Sequence, residues 1–584
     1  TTGSNNTALG YNSLSANTTA SNNTAVGKNA MASNTTGTSS VAVGYGALDA
    51  NTTGNDNHAF GWNALGSCTE GINNTAVGSQ ALATQTTASN NTAVGLEALK
   101  LNTSGQWNTA VGSRSLDANT TGNTNSALGY GTLGANTEGS DNIAVGHEAL
   151  PSNTTGNKNV AIGREALKQN TTANENVAVG YLNMEDNTTG TRNVSVGAYA
   201  LQNNVTNNDN TAVGYYALGT SNGGYENTAI GRNAMASMTT GAMNTAVGVQ
   251  ALNNATTGNN NSMFGMYSGQ AITTGGANTG VGYMSLYGLT TGADNIAVGK
   301  QALQATTTQN NNVAIGNDAL KSSTQSNMTA VGHAALGVNT SGAYNTALGA
   351  YTLDANTTAS YNTGLGYGVL SSNTTGWGNT CAGYHSAVNI TTAWGCTIIG
   401  NNAASSNTTG EDCTVVGHSA GTGITTGHRN TLIGVSAGDV ITTGGNNICL
   451  GFDVDPSSST VSNTITLGNG SISTLRCNQT SISSLSDKRD KTDIVDIPVG
   501  LKFLNTLRPV KFKWQRREPD ATDGTVRAGF IAQELQTAQG DNDYLDLIMD
   551  DNPDKLEAKQ GNLIPVLVKA IQELSAKVTA LEGK

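Results

Sequence analysis

The chain has 584 residues, 73 of them glycine and only 5% aromatic, with 27 basic against 39 acidic side chains and a formal net charge of −12. Large side chains for ordinary globular cores are scarce, and no basic stripe offers itself to nucleic acid. No apolar run of about 18 residues occurs, which excludes a membrane-spanning helix and any membrane insertion by that route.

Low hydrophobicity with abundant Asn, Thr and Gly resembles a disordered composition, but a strict period overrides it. The chain begins "TTGSNN", with neither Met nor a signal-like apolar stretch, as expected of a fragment or processed product. From there "NTALG" ends at Gly10, "NTAVG" at Gly27 and "VAVG" at Gly44. The glycine recurs every 17 residues to Gly316, steps 16 once to Gly332, and resumes 17 to Gly468, giving 28 in register. The residue before it is apolar in all 28, and Asn stands four before it in 23. Leu or Met dominates four residues after the glycine up to Leu370, and a polar turn such as Asn51–Gly54 or Asn153–Gly156, both "NTTG", closes the unit. Each unit therefore reads as a short strand, a glycine bend, a second apolar segment and a turn. Stacked units make a parallel β-solenoid or β-roll, with an Asn column able to form a side-chain ladder. Twenty-seven intervals of about 4.8 Å predict a rod on the order of 130 Å long. Ala, Val and Leu bury little per coil against the ordering of 17 backbones, so an oligomer is expected, with three chains the preferred form.

The units "NTAVG" and "NVAIG" (Asn159–Gly163) resemble the head repeats of trimeric autotransporter adhesins, whose units are shorter; the resemblance implies a trimeric β-roll. Near residue 380 the pattern drifts: the motifs ending at Gly383 and Gly400 are followed by small residues instead of Leu, which predicts a changed cross-section.

Several motifs inside the repeats carry no chemistry. "GYGTLG" (Gly129–Gly134) matches a dinucleotide fingerprint but opens no helix. The N-x-T triplets follow from a repeat rich in Asn and Thr. Of six histidines, His147, His333 and His418 follow a ruler glycine, where three copies on an axis could hold an ion; single surface residues are the favoured reading. The cysteines Cys68, Cys381, Cys396, Cys413, Cys449 and Cys477 form no CxxC pair and read as small apolar fillers, with Cys396 and Cys413 equivalently placed in adjacent units. No cofactor or metal site is predicted.

After Gly468 a polar stretch, residues 469–485, reads as a narrow neck. From Ser486 to Lys584 the charge density jumps to 15 basic and 17 acidic residues, leaving 12 and 22 for everything before. "LRPVKFKW" alternates Val510, Phe512 and Trp514 against lysines, as a half-buried strand does. "RAGFIAQELQ" (Arg527–Gln536) leads into a helix. Ile564, Leu567, Ile571, Leu574, Val578 and Leu581 keep 3-4 spacing behind Pro565, which predicts a coiled-coil helix and self-association. Ile and Leu in those places lean toward two strands, so a third chain must be specified elsewhere.

"SDKRDK", "GLKFLNTLRPVKFKW", "AGFIAQELQ" and "LIPVLVKAIQELSAKVTALE", in that order, resemble the C-terminal intramolecular chaperone of phage tail fibres and tailspikes, the endosialidase-type self-cleaving domain. The resemblance covers residues 486–584, and 1–468 becomes the fibre shaft. It implies a homotrimer that guides folding of the upstream fibre and then cuts itself off between Leu485 and Ser486. Ser486 is then the nucleophile and Lys491 the general base of a Ser/Lys pair, with Asp487 and Arg489 at the other fixed motif positions. Asp490 stands where the family often has an apolar residue. The implied activity is a single-turnover autoproteolytic serine endopeptidase with no external substrate. Lys488 and Arg489 favour a neutral lysine, while Asp487 and Asp490 oppose it; the motif alone also fits a serine N-cap. By the same resemblance the chain is a virion tail-fibre protein, assembled in the host cytoplasm and acting outside the cell, with other tail proteins and a host-surface glycan or protein receptor as partners. The alternative readings are a bacterial surface adhesin, whose C-terminal anchor barrel this tail does not show, and an ice- or saccharide-binding solenoid, whose regular Thr or aromatic column is broken here.

Overall fold

The computed structural model of the chain describes residues 2–472, 474–476, 486–513, 525–550, 554 and 556–583. It contains two compact units, Thr1–Ala350 and Tyr351–Lys584. The predicted Cys477 and Trp514 positions, and most of the neck, lie outside the described residues.

The first unit is a parallel β-solenoid. Each coil contributes one three-residue strand, from β1 (Thr7–Leu9) to β21 (Thr346–Leu348), and each strand pairs in parallel with the next. Register follows the ruler: Thr24 faces Val41, Ala25 faces Ala42 and Val26 faces Val43. The strand's middle residue points inward, and Ala25, Ala42 and Ala59 are fully buried. Successive backbones stack one strand spacing apart, and a small side chain here leaves room for the Leu or Met of the turn; where Met263 is buried instead, the turn position is Gly269. The ruler glycine is demanded by the same closeness. At Gly27, with φ +134°, an added Cβ would sit 2.4 Å from the carbonyl oxygen of Gly44.

The second apolar segment of each unit is a run of turns. Leu48 and Leu65 sit fully buried in the left-handed region, both at φ 51°. That conformation costs about 1–3 kcal/mol, comparable to the ~1.5–3 kcal/mol gained by burying the side chain. Contacts between coils impose it: the Leu48 amide donates to the Ala64 carbonyl of the next coil at 2.9 Å.

Two columns of buried asparagine run through the stack. In the predicted column, four before the glycine, the Asn125 side-chain amide donates to Asn108 Oδ1 (3.2 Å) and to the Gly139 carbonyl (2.8 Å), while its Oδ1 accepts the Asn142 backbone amide (3.0 Å). The second column is the first residue of "NTTG". It is buried and forms its own ladder from Asn102 to Asn204, including Asn136 to Asn119 and Asn153 to Asn136, both 2.8 Å. Downstream this column turns apolar, with Met238, Ala255, Ile272 and Leu289 fully buried. The first Asn of the "NTT" triplets at Asn34, Asn51, Asn119 and Asn153 is thus internal, whereas that of the "NNT" triplets at Asn22, Asn73 and Asn90 is exposed. The single 16-residue step is absorbed in the turn: β19 (Val313–Ile315) still pairs in register with β20 (Thr329–Val331).

The second unit opens with strands of the same kind, β22 (Thr363–Leu365) to β28 (Ile465–Leu467), again paired in parallel. The chain is thus mainly β, with 28 short strands of one repeat, 21 in the first unit and seven in the second, parallel within each unit. The drift near residue 380 is an exchange of volumes inside the coil. The inward strand position enlarges to Ile398, Val415 and Leu432, while the turn position shrinks to Ala404, Gly421 and Gly438. A side chain on Gly438 would meet Leu432 at 2.6 Å. Total core volume is kept, which cores tolerate well.

All five described cysteines are free and buried. Cys396 and Cys413 replace asparagine in the first ladder, each thiol reaching the carbonyl that the amide would, Gly410 at 3.3 Å and Gly427 at 3.4 Å.

The rest of the second unit is a small α+β module: α1 (Leu501–Leu504), a hairpin of β29 (Val510–Lys513) and β30 (Val526–Gly529), α2 (Ala532–Gln539), the short pair β31 (Ile548–Met549) and β32 (Glu557–Ala558), and α3 (Ile564–Glu582). Phe503, Leu535, Leu545, Leu547, Ile548, Leu563 and Val566 form its core.

Candidate functional site

Ser486 begins the described part of the module, ahead of a 3-10 turn over Lys488–Asp490. Asp487 caps that turn: its carboxylate accepts the Arg489 backbone amide at 2.9 Å and pairs with the Arg489 guanidinium at 2.5 Å. The guanidinium holds the Asp487 carboxyl below the usual carboxylate range. The turn closes when the Lys491 amide donates to the Lys488 carbonyl at 3.3 Å, and Lys491 leaves it in extended conformation. Five residues of chain are thereby folded back so that Lys491 Nζ lies 2.5 Å from Ser486 Oγ. All six residues from Ser486 to Lys491 are solvent-exposed.

The structure therefore brings Ser486 and Lys491 into hydrogen-bond contact and places Asp487 and Arg489 behind them as a clasp on the turn. Leu485 lies outside the described residues, so its carbonyl has no position here. A hydroxyl beside an amine can serve as nucleophile and base once the amine is neutral, and desolvation promotes that form.

Sequence reasoning assigned Asp487 and Arg489 only to fixed motif positions. Their mutual hydrogen bonds follow an elementary signal, an Asp two residues ahead of a donor at the start of a turn. A residue that it missed is Glu573 on α3, whose carboxylate accepts the Leu501 amide at 2.8 Å and so caps α1 from across the module. No local signal marks that pairing, since 72 residues separate the two.

The predicted coiled-coil seam is present and bare. Val566 and Ala570 turn inward, while Ile564, Leu567, Ile571, Leu574, Val578 and Leu581 are all exposed, Ile571 at 65% and Leu581 at 71%. A row of apolar residues at 3-4 spacing left in water is a helix face shaped for another helix.

These features define a repetitive β-solenoid followed in the chain by a small α+β module with a Ser–Lys turn and a helix whose outer face is bare. Residues 486–544 of that module match the model of the family described as the chaperone of endosialidase. The match starts at Ser486 and takes in the Ser–Lys turn, the β29–β30 hairpin and α2, which bears out the resemblance of the tail to the intramolecular chaperones of tail fibres. Comparison with curated proteins and with solved structures found no match.

Proposed function

We propose that the chain is a tail-fibre protein of phage type, a homotrimeric shaft for attachment to a host-surface glycan or protein, whose residues 486–584 direct trimerisation and folding and then cut themselves off. The observation that carries this reading is the coincidence of the family match with the dyad: the matched stretch begins at Ser486, and Ser486 touches Lys491.

In the cleavage step neutral Lys491 takes the Ser486 hydroxyl proton, and Oγ attacks the Leu485 carbonyl carbon. The C–O bond forms, the Leu485–Ser486 C–N bond breaks, and the leaving amine takes a proton to become a new N-terminus. Water then hydrolyses the ester, freeing the Leu485 carboxylate and restoring the hydroxyl. Bare exposure of the dyad in one chain suits a reaction that waits for partner chains to exclude water.

A folding seed has a physical reason to exist here. Near-identical coils can pair between chains one unit out of step at little cost, and long parallel pairing is slow and prone to aggregation. Three modules fix stoichiometry and register at one end, α3 supplying self-association and contacts beyond α3 the third chain, and their removal leaves a shaft held by slow unfolding. The shaft would belong to the virion, beside other tail proteins, after assembly in the host cytoplasm.

Intact masses under denaturing conditions test the cleavage. The parent is expected to lose residues 486–584 and the Ser486→Ala variant to keep them. A parent that stays whole overturns the cleavage, and a monomeric native mass for that uncut chain overturns the trimer.

A further inference from the structure

In the first unit the strand's two flanking residues point away from the core, and the outer pair of columns they form is unusual. The residue before the glycine is apolar in every one of β1–β21, and the residue two earlier is Thr, Val, Ile, Ser or, once, His58. No Asp, Glu, Lys or Arg stands on either column. Two residues ahead of the strand, by contrast, eight of the 21 coils carry a charge, among them Asp56, Asp141, Lys158, Glu175 and Arg192. Charge is admitted to neighbouring outward positions and withheld from the strand face. This apolar stripe is wet: Leu128 is 51% exposed, Phe264 42% and Val77 38%.

Its size is that of an interface. A Val, Leu or Phe side chain presents on the order of 60–120 Å² of apolar surface. Eleven of the 21 glycine-side residues are more than a third exposed and the other ten less so, and at about a third exposure the 21 leave about 400–800 Å² per chain on that column alone. The largest apolar patch on an ordinary monomer is about 300–600 Å², and a stable interface takes about 800 Å² from each partner. Its period selects the occupant. The stripe repeats once per coil, about 4.8 Å, and a surface matching it over 21 coils must repeat at the same spacing. The stripe of a second, parallel copy does so by construction.

We propose that the strand face of Thr1–Ala350 is the surface by which copies of this chain pack side by side, parallel and in register. The inference rests on the homotrimer reading and adds to it which face of the shaft turns inward, leaving the charged columns and turns outside.

The test is cysteine cross-linking in the full chain with a short bis-maleimide. Val77→Cys and, independently, Ile230→Cys are placed on the stripe, and Glu70→Cys sits on an exposed turn of the same coil as Val77. The parent chain reports any linkage through its own cysteines, and native mass is recorded for every variant. Trimers in which Val77→Cys and Ile230→Cys link chains while Glu70→Cys does not are the expected result. Trimers without linkage at the two stripe positions, or with equal linkage at Glu70→Cys, overturn the strand-face interface and leave the trimer standing. A monomeric native mass for the parent overturns both.

Discussion

Replacing Asn136 by Ala should open the solenoid locally. The Asn136 amide donates to Asn119 Oδ1 at 2.8 Å and to the Gly139 carbonyl at 2.9 Å, and its Oδ1 accepts from Asn153 at 2.8 Å. Truncation does not orphan all of these. The Gly139 carbonyl keeps its bond from Asn125, and the Asn153 amide keeps its bond to Gly156. What remains is one bare buried acceptor on Asn119, one unpaired N–H on Asn153 and a small void. At about 1–3 kcal/mol for a fully unsatisfied buried group and less for a half-satisfied one, the loss is about 2–4 kcal/mol. In a solenoid the loss stays with the affected coil and its neighbours, because each coil contacts only those. Amide hydrogen exchange resolved by coil is therefore the assay. Protection of the coils holding Asn119, Asn136 and Asn153 should fall about 30- to 700-fold, with remote coils unchanged. Glu138→Ala, two residues away and exposed, is the control. A change under threefold for Asn136→Ala, or equal changes for the two variants, refutes the ladder as a source of stability.

Two further outcomes follow from the packing. Gly27→Ala forces a side chain into a left-handed residue and against the Gly44 carbonyl; it should destabilise the N-terminal coils by more than about 3 kcal/mol, seen as new protease sensitivity there, and a variant as resistant as the parent contradicts the close-approach argument. Burial pushes the Cys68 thiol up to about 11, so at pH 8 only about 0.1% is thiolate against about 24% in the unfolded chain; alkylation at Cys68, followed by peptide mass, should run over 100-fold slower in the folded protein. Because the folded value lies above the unfolded one, this group's contribution is complete below about pH 8.5 and is lost as pH climbs toward 11. Rates within tenfold of the denatured chain at pH 8 refute its burial.

The period, the ruler glycine and the first Asn column were legible because each is repeated nearly unchanged, and repetition in a solenoid is direct evidence of stacking. Which side of the strand faces the core was not. "NTAVG" offers two apolar residues, and only packing shows that the small Ala is sealed while Val is left outside. The leucine four after the glycine was legible as core but not as left-handed backbone, since apolar spacing says nothing about φ. "NTTG" looked like a surface turn because its residues are polar, yet its Asn is buried; burial is tolerated when a neighbour one coil away completes its bonds, a partner that local sequence cannot display. In the module, the Ser486–Lys491 contact was legible as a motif, whereas Glu573 acts across 72 residues and leaves no trace in either segment.

The second interior column changes chemistry along the first unit, and temperature is the axis on which its two stretches part. From Asn102 to Asn204 the coils are joined there by aligned amides; from Met238 to Leu289 the same column is filled by buried hydrocarbon and thioether groups. Apolar association weakens as water cools, while hydrogen bonding does not share that large heat-capacity signature. The first unit is thus a composite along its length. Its amide-linked stretch holds best in the cold and its apolar stretch holds comparatively better in warmth, so no one temperature loosens every coil to the same degree.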